Sequence, residues 1–326
     1  MAEDAIKVLN SKIQTNMEIK EFELILPTIP DSEKTYFQKW FVAFQDVISW
    51  EEFRAKGYQH IAETVDAVTK HVAEVTGKPE QLKLAFLPTS IARTSPFYPM
   101  SRGEMKTRPL YKDFEIKNRW GNIVISGPKL SIQDESVLLA ILILVKKNKN
   151  VVINTDYAEI CENMGVTRGS SQYSAISDCL KRLTKAVVDT NLFSDKEGES
   201  HKVTMSITGA MISNVYQETK STNVVIHVNP YFLALYGANL TTGIDVNKRS
   251  KIKGDTAKAL YRFLETHNGG GVPFGLMTLC HAINVNVEQH MFEVRKVIRK
   301  ALAELQKHKH IKRWKIDRND LVYIYR

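Results

Sequence analysis

Three cysteines in 326 residues are too few for a disulfide framework. Cys161, Cys179 and Cys280 each fall within a helical pattern and none forms a CxxC pair, so they read as buried thiols in a reducing compartment. Long apolar runs are missing too. The longest, Val137 to Val145, has nine residues, against the roughly 18 that a membrane span requires. The start, MAEDAIKVLN, is acidic and carries no apolar signal core, and the expected location is cytoplasmic. Catalytic signatures are equally scarce. The stretch GGGVPFG lacks the GK[ST] ending of a phosphate-binding loop, and neither HExxH nor GxSxG occurs. His308-Lys309-His310 puts a lysine where a metal-dependent origin nickase needs an apolar residue between its histidines. The surrounding cations would repel a divalent ion. No enzymatic activity, cofactor or metal is expected.

What the chain has is charge of one sign at one end. Residues 245–326 hold 17 Lys and Arg against 8 Asp and Glu, and the net charge of the whole protein, +9, resides there. Such asymmetry fits a polyanion partner. Within this region EQHMFEVRKVIRKALAELQKHKHIKR reads as a long amphipathic helix running into a basic strand. Met291, Val294, Ile298, Ala301, Leu302 and Leu305 form its apolar face. Gln289, Glu293, Lys296 and Lys300 lie opposite, with Arg299 on the flank.

Taken in order, residues 1–80 contain two amphipathic helical patterns, one through Phe37, Trp40, Phe41, Phe44 and Ile48, the other from Ile61 to Val75. Residues 81–119 are punctuated by prolines and read as a linker or extended segment. Regular structure resumes near 120. Ser131 and Asp134 suit a capping box for the helix through Val145. A short helix from Asp156 to Met164 ends at Gly165, and a third runs from Ser170 to about Val187. The segments VVDTNLF and HKVTMSIT then flank a turn, and Asn223 to Val228 form another strand. From 244 the order recurs: a basic lead-in (Lys248, Arg249, Lys251, Lys253), a helix, a short helix, the long helix, and the hairpin RWKID-RND-LVYIYR. The predicted fold class is α+β, with two tandem winged helices, residues 120–243 and 244–326, behind an α-helical, partly extended region.

In that architecture the third helix of each copy enters a major groove. The candidates in the second copy are Gln289, His290, Glu293 and Lys296 for bases, with Arg299, Lys300, Lys307, Lys309, Lys312 and Arg313 for phosphates. In the first copy they are Thr167, Arg168, Ser170, Ser171, Tyr173 and Ser174, with Lys181 and Lys185 behind.

The succession of GPKLSIQDESVLLAILILV, INTDYAEICENMGV, YSAISDCLKRLTKAVV, TAKALYRFLETH and ALAELQKHKHIKRWKIDRNDLVYIYR resembles the iteron-binding plasmid replication initiators, particularly the TrfA-type group. The resemblance covers roughly residues 120–326. It implies a protein that binds direct repeats in a plasmid origin, opens an adjacent AT-rich region and helps recruit the host initiator and replicative helicase. It also implies monomers active in initiation and dimers that restrain it. A winged-helix transcriptional regulator is the competing reading. One further motif stands apart: Gln81, Leu82, Leu84 and Phe86 of QLKLAF resemble the peptide by which bacterial replication proteins dock on the sliding clamp. The same alternation also describes a half-buried strand.

Overall fold

The computed structural model describes residues 83–326 apart from 108, 119–120, 149, 194–202, 219–220, 230–231, 233–240 and 268–272. The two helical patterns before residue 80, together with Gln81 and Leu82, lie outside the described residues.

The centre of the molecule is helix α3, Ile132–Asn148. Its start is set by the expected reciprocal cap: the Ser131 backbone N–H donates to Asp134 Oδ2 at 2.7 Å, and the Asp134 N–H returns a bond to Ser131 Oγ at 3.4 Å. Beyond the cap, Val137 to Ile141 are all fully buried. A helix apolar on every side must be surrounded, and this one is packed by neighbours from both halves of the chain.

After α3 come strand β6 (Val152–Asp156), helix α4 (Tyr157–Met164) and helix α5 (Ser170–Lys185). Asp156 caps α4, accepting the Glu159 N–H at 2.7 Å. Gly165 ends it at φ 69°, in the left-handed region. A Cβ on Gly165 would also stand 2.8 Å from the Ser250 side chain. Gly165→Ala should therefore cost about 1–2 kcal/mol from backbone strain alone, with crowding added, read as a lower urea midpoint. An unchanged midpoint would mean that the turn relaxes freely.

The hairpin that follows α5 differs from expectation. Strands β7 (Val187–Phe193) and β8 (Val203–Ala210) do not pair with β6. They extend a hairpin of β3 (Leu110–Asn118) and β4 (Gly121–Pro128) into an antiparallel sheet of order β3-β4-β7-β8. The hairpin that joins β6 is the next one, β9 (Ile212–Gln217) with β10 (Asn223–Val228), in the order β6-β10-β9. Local strand propensity cannot choose between two successive hairpins, because pairing depends on which edge β6 leaves open.

The carboxyl-terminal region repeats this plan. Helix α7 (Asp255–Glu265), strand β12 (Phe274–Gly275), helices α8 (Leu276–Ala282) and α9 (Met291–Lys307), and strands β13 (Arg313–Ile316) and β14 (Leu321–Tyr325) follow one another, with sheet order β12-β14-β13. In both sheets the early short strand pairs with the last strand of its hairpin. That shared topology is a firmer sign of repetition than the helix spacing.

Residues 83–118 are no linker. Strand β1 (Leu84–Pro88) pairs antiparallel with β11 (Thr241–Asp245), placing Phe86 opposite Gly243. Phe86 is 6% exposed and Leu87 fully buried. Phe86 is therefore a core residue of a paired strand and the partly buried Leu84 packs against that core, so the clamp-docking reading fails for them: the strand cannot leave without opening the core. Helix α1 (Thr89–Arg93) and strand β2 (Phe97–Tyr98), which runs parallel to β5 (Leu130–Ser131), continue inward, and helix α2 (Arg102–Thr107) follows. The Ser95 and Phe97 carbonyls accept from Asn284 Nδ2 at 2.6 and 3.1 Å, and Arg93 donates to the Thr266 carbonyl at 3.1 Å. The prolines punctuate short elements that seal one half of the chain to the other.

Candidate nucleic-acid interface

Helix α9 is amphipathic, as its spacing requires. Val294, Ile298, Ala301, Leu302 and Leu305 are buried. Its exposed row is Phe292, Lys296, Arg299 and Ala303, with Lys300 beside it. Between this row and the core lies Arg295, which grips the turn of the β13–β14 hairpin. Its Nε donates to Asp320 Oδ1 and its Nη2 to Oδ2, both at 2.8 Å. This two-point geometry is the strong form of an arginine–carboxylate pair. The hydrogen bonds from Arg295 hold the Asp320 carboxyl below its usual range. Asp317 shapes the same turn, accepting the N–H groups of Asn319 and Leu321 at 2.9 Å each.

Helix and turn thus form the walls of an open cleft of about 700 Å³, lined by Arg295, Arg299, Lys315, Ile316, Arg318 and the turn residues. Both carboxylates in it are engaged internally, by Arg295 and by the turn amides. Arg299, Lys315 and Arg318 are left facing solvent. A cationic cleft between an exposed helix and a hairpin tip is suited to a groove and its flanking phosphates.

The structure gathers the sequence candidates unevenly. Lys296, Arg299 and Lys300 are together on α9 and exposed; Lys296 also meets Glu293 at 3.3 Å. Gln289 and His290 are exposed but precede the helix, which starts at Met291. The Gln289 amide donates to the Asn286 carbonyl at 3.0 Å, and His290 is the cap position. They therefore do not continue the polar face of α9. Lys307, Lys309, Lys312 and Arg313 are exposed at the opposite end of the helix. About 18 Å of helix axis separates Arg295 from Lys307. Arg313 lies over the Tyr325 ring at 4.2 Å.

Arg249 requires a correction. It is 3% exposed, with Nη2 3.1 Å from Glu135 Oε2 and Nη1 donating to Ser136 Oγ at 2.7 Å. A guanidinium committed inside the protein cannot meet a phosphate. Its neighbours Lys248, Lys251 and Lys253 are exposed, Lys248 lying 3.6 Å from Asp245.

On α5, Ser171, Ser174, Lys181 and Lys185 form one exposed row, and Ser170 opens the helix. Tyr173 is half-buried against Tyr157, ring centroids 5.8 Å apart. Thr167 and Arg168 are exposed in the preceding turn, where Arg168 meets Glu162 at 3.2 Å. His308 pairs with Glu304 at 3.2 Å, and burial lowers the pKa of His310. Among the described residues no cluster of three or more potential metal ligands occurs, and no helix is long and apolar enough to cross a membrane.

The sequence reading missed Arg295, Lys315, Arg318 and Phe292. A signal for Lys315 and Arg318 existed: a hairpin directly after the third helix puts its tip beside that helix, so the cations of KIDRND belonged with the helix from the outset.

The middle of the chain carries a recognisable sequence signature. Residues 120–265 match the family model described as Initiator Replication protein, WH1. This initiator match runs through α7, whose Arg262 is paired with Glu135 of α3. No curated protein matches the chain. Among solved structures, domains 2 and 3 of RctB are similar at 14% identity and a TM-score of 0.51, over 73% of this chain and 98% of that one. The two share a fold. A longer RctB fragment, residues 155–483, gives a TM-score of 0.47 at 14% identity, covering 67% of this chain and 82% of that one. The Pi initiator protein, solved in complex with iteron DNA, gives 0.42 at 13% identity, covering 60% and 91%.

Proposed function

We propose that the protein is a replication initiator whose two tandem winged helices bind double-stranded direct repeats at a plasmid origin. It then opens the adjacent AT-rich region and helps recruit the host initiator and helicase, with monomers active and dimers restraining. The observation that carries the reading is the cationic cleft between α9 and the β13–β14 turn, in a chain whose residues 120–265 match the initiator family model. The pairing of Arg295 with Asp320 supports it, because it fixes the hairpin relative to the helix before DNA arrives and so reduces the ordering cost of binding. Two groove-reading helices one turn of DNA apart would occupy a repeat of about 20 base pairs.

Footprinting on the DNA flanking the protein's own gene tests the reading. Evenly spaced protections of that length are expected, and protection of no repeated element would defeat it. Within such a site, Lys296→Ala should lose about 1–3 kcal/mol at particular base pairs, whereas Arg318→Ala should weaken all sequences alike and lower the salt slope by about one. The reverse pattern would mean that the hairpin reads bases and the helix only anchors.

A further inference from the structure

The exposed row of α9 begins with an aromatic side chain that neither charge nor core packing explains. Phe292 is 67% exposed; among the described residues between 245 and 326 the one other exposed large hydrophobic side chain is Met277, at 37%. It occupies the second position of α9, and Lys296 and Arg299 follow it on the same face at helical spacing. Its neighbours Met291 and Val294 turn inward to the core. Phe292 thus sits at the leading end of the surface already assigned to the groove.

The groove offers such a ring one apolar partner. The C5 methyl of thymine is the one alkyl group on the major-groove edge of a base pair, and Phe is among the residues that contact it. The cations further along the row are suited to guanine or to phosphate, so the ring adds a discrimination that they cannot supply. We propose that Phe292 is a specificity-determining residue that reads a thymine methyl in the major groove; this rests on the double-stranded DNA reading above. Arg295, locked to Asp320 one turn away, sets how deeply this end of the helix seats and positions the ring rather than reading a base.

Deoxyuridine in place of thymine removes that methyl and leaves every hydrogen-bonding group intact. The full chain would be used to select duplexes from a randomised pool. The best duplex would then be assayed by fluorescence anisotropy, with each thymine replaced singly by deoxyuridine. The expected result is a loss of about fourfold at one or two adjacent thymines, the value of burying one methyl group. Phe292→Ala should bind the parent duplex more weakly and be indifferent to deoxyuridine at those positions. Phe292→Leu should keep part of the discrimination, and Lys312→Ala should keep all of it. A flat deoxyuridine series for the unmodified protein would overturn the proposal, as would penalties that persist in Phe292→Ala. Enrichment of a duplex with a flat series removes this proposal alone; enrichment of no duplex removes the DNA reading and this one with it.

Discussion

Glu135→Gln should lower the stability of the protein by about 3–5 kcal/mol, the usual cost of stranding a buried charge. Glu135 and Arg262 are both fully buried and Arg249 nearly so; Glu135 Oε2 accepts a hydrogen bond from Arg262 Nη1 at 2.8 Å and is ion-paired with Arg249 Nη2 at 3.1 Å. The substitution strips Arg262 of its paired carboxylate and leaves Arg249 with only the more distant charge of Asp255. Burial already lowers the pKa of Arg262, and the like charge of Arg249 adds to the effect. Arg262 also donates to the Ala92 carbonyl at 3.2 Å, so the cluster joins α3, the α1 segment and α7 in one place. Replacing all three charged residues by apolar ones of similar volume should recover much of the loss, because such a core no longer carries the desolvation penalty. Urea denaturation of the single and triple variants measures both. A single variant as stable as the parent would mean that water reaches the cluster. For the same reason a fragment starting at Asp245 is a poor probe of DNA binding, as the cut strips Glu135 from both arginines.

The second large effect is on DNA affinity. Neutralising on the order of 6 to 10 phosphates should cost the full chain roughly 10³–10⁵ in affinity between 50 and 200 mM salt. The structure says which cations pay that cost. Arg249 and Arg262 are buried, Arg295 is paired with Asp320, and Arg326 is paired with Glu265. The salt slope should therefore fall with Lys315→Ala and Arg318→Ala, and stay unchanged on replacing Arg295 by Gln, which should act through the seating of the hairpin instead. A slope near zero in the parent protein would show that phosphates contribute little and would undo the electrostatic argument.

Much of this was readable from the linear chain, for local reasons. Helix α3 announces itself by an uninterrupted apolar run after Ser131 and Asp134, because a capping box needs only residues three apart. Helix α9 announces itself by apolar residues recurring at Val294, Ile298, Ala301, Leu302 and Leu305, and the one-sided charge required nothing beyond counting. The match of Gly165 to a left-handed helix end is likewise a property of one residue and its backbone.

Tertiary structure decided everything that depends on a partner distant in sequence. QLKLAF is equally a docking peptide or a strand until Phe86 is seen opposite Gly243, 157 positions away. VVDTNLF and HKVTMSIT have strand character whichever sheet they join, and only the edge presented by β4 assigned them to the four-stranded sheet. Arg249 and Lys248 are adjacent and both basic, yet one faces Glu135 in the core and the other solvent, because α6 (Val246–Lys251) turns neighbouring residues to different sides. Charge tells how strongly a chain attracts a polyanion; only packing tells which of those charges it can reach.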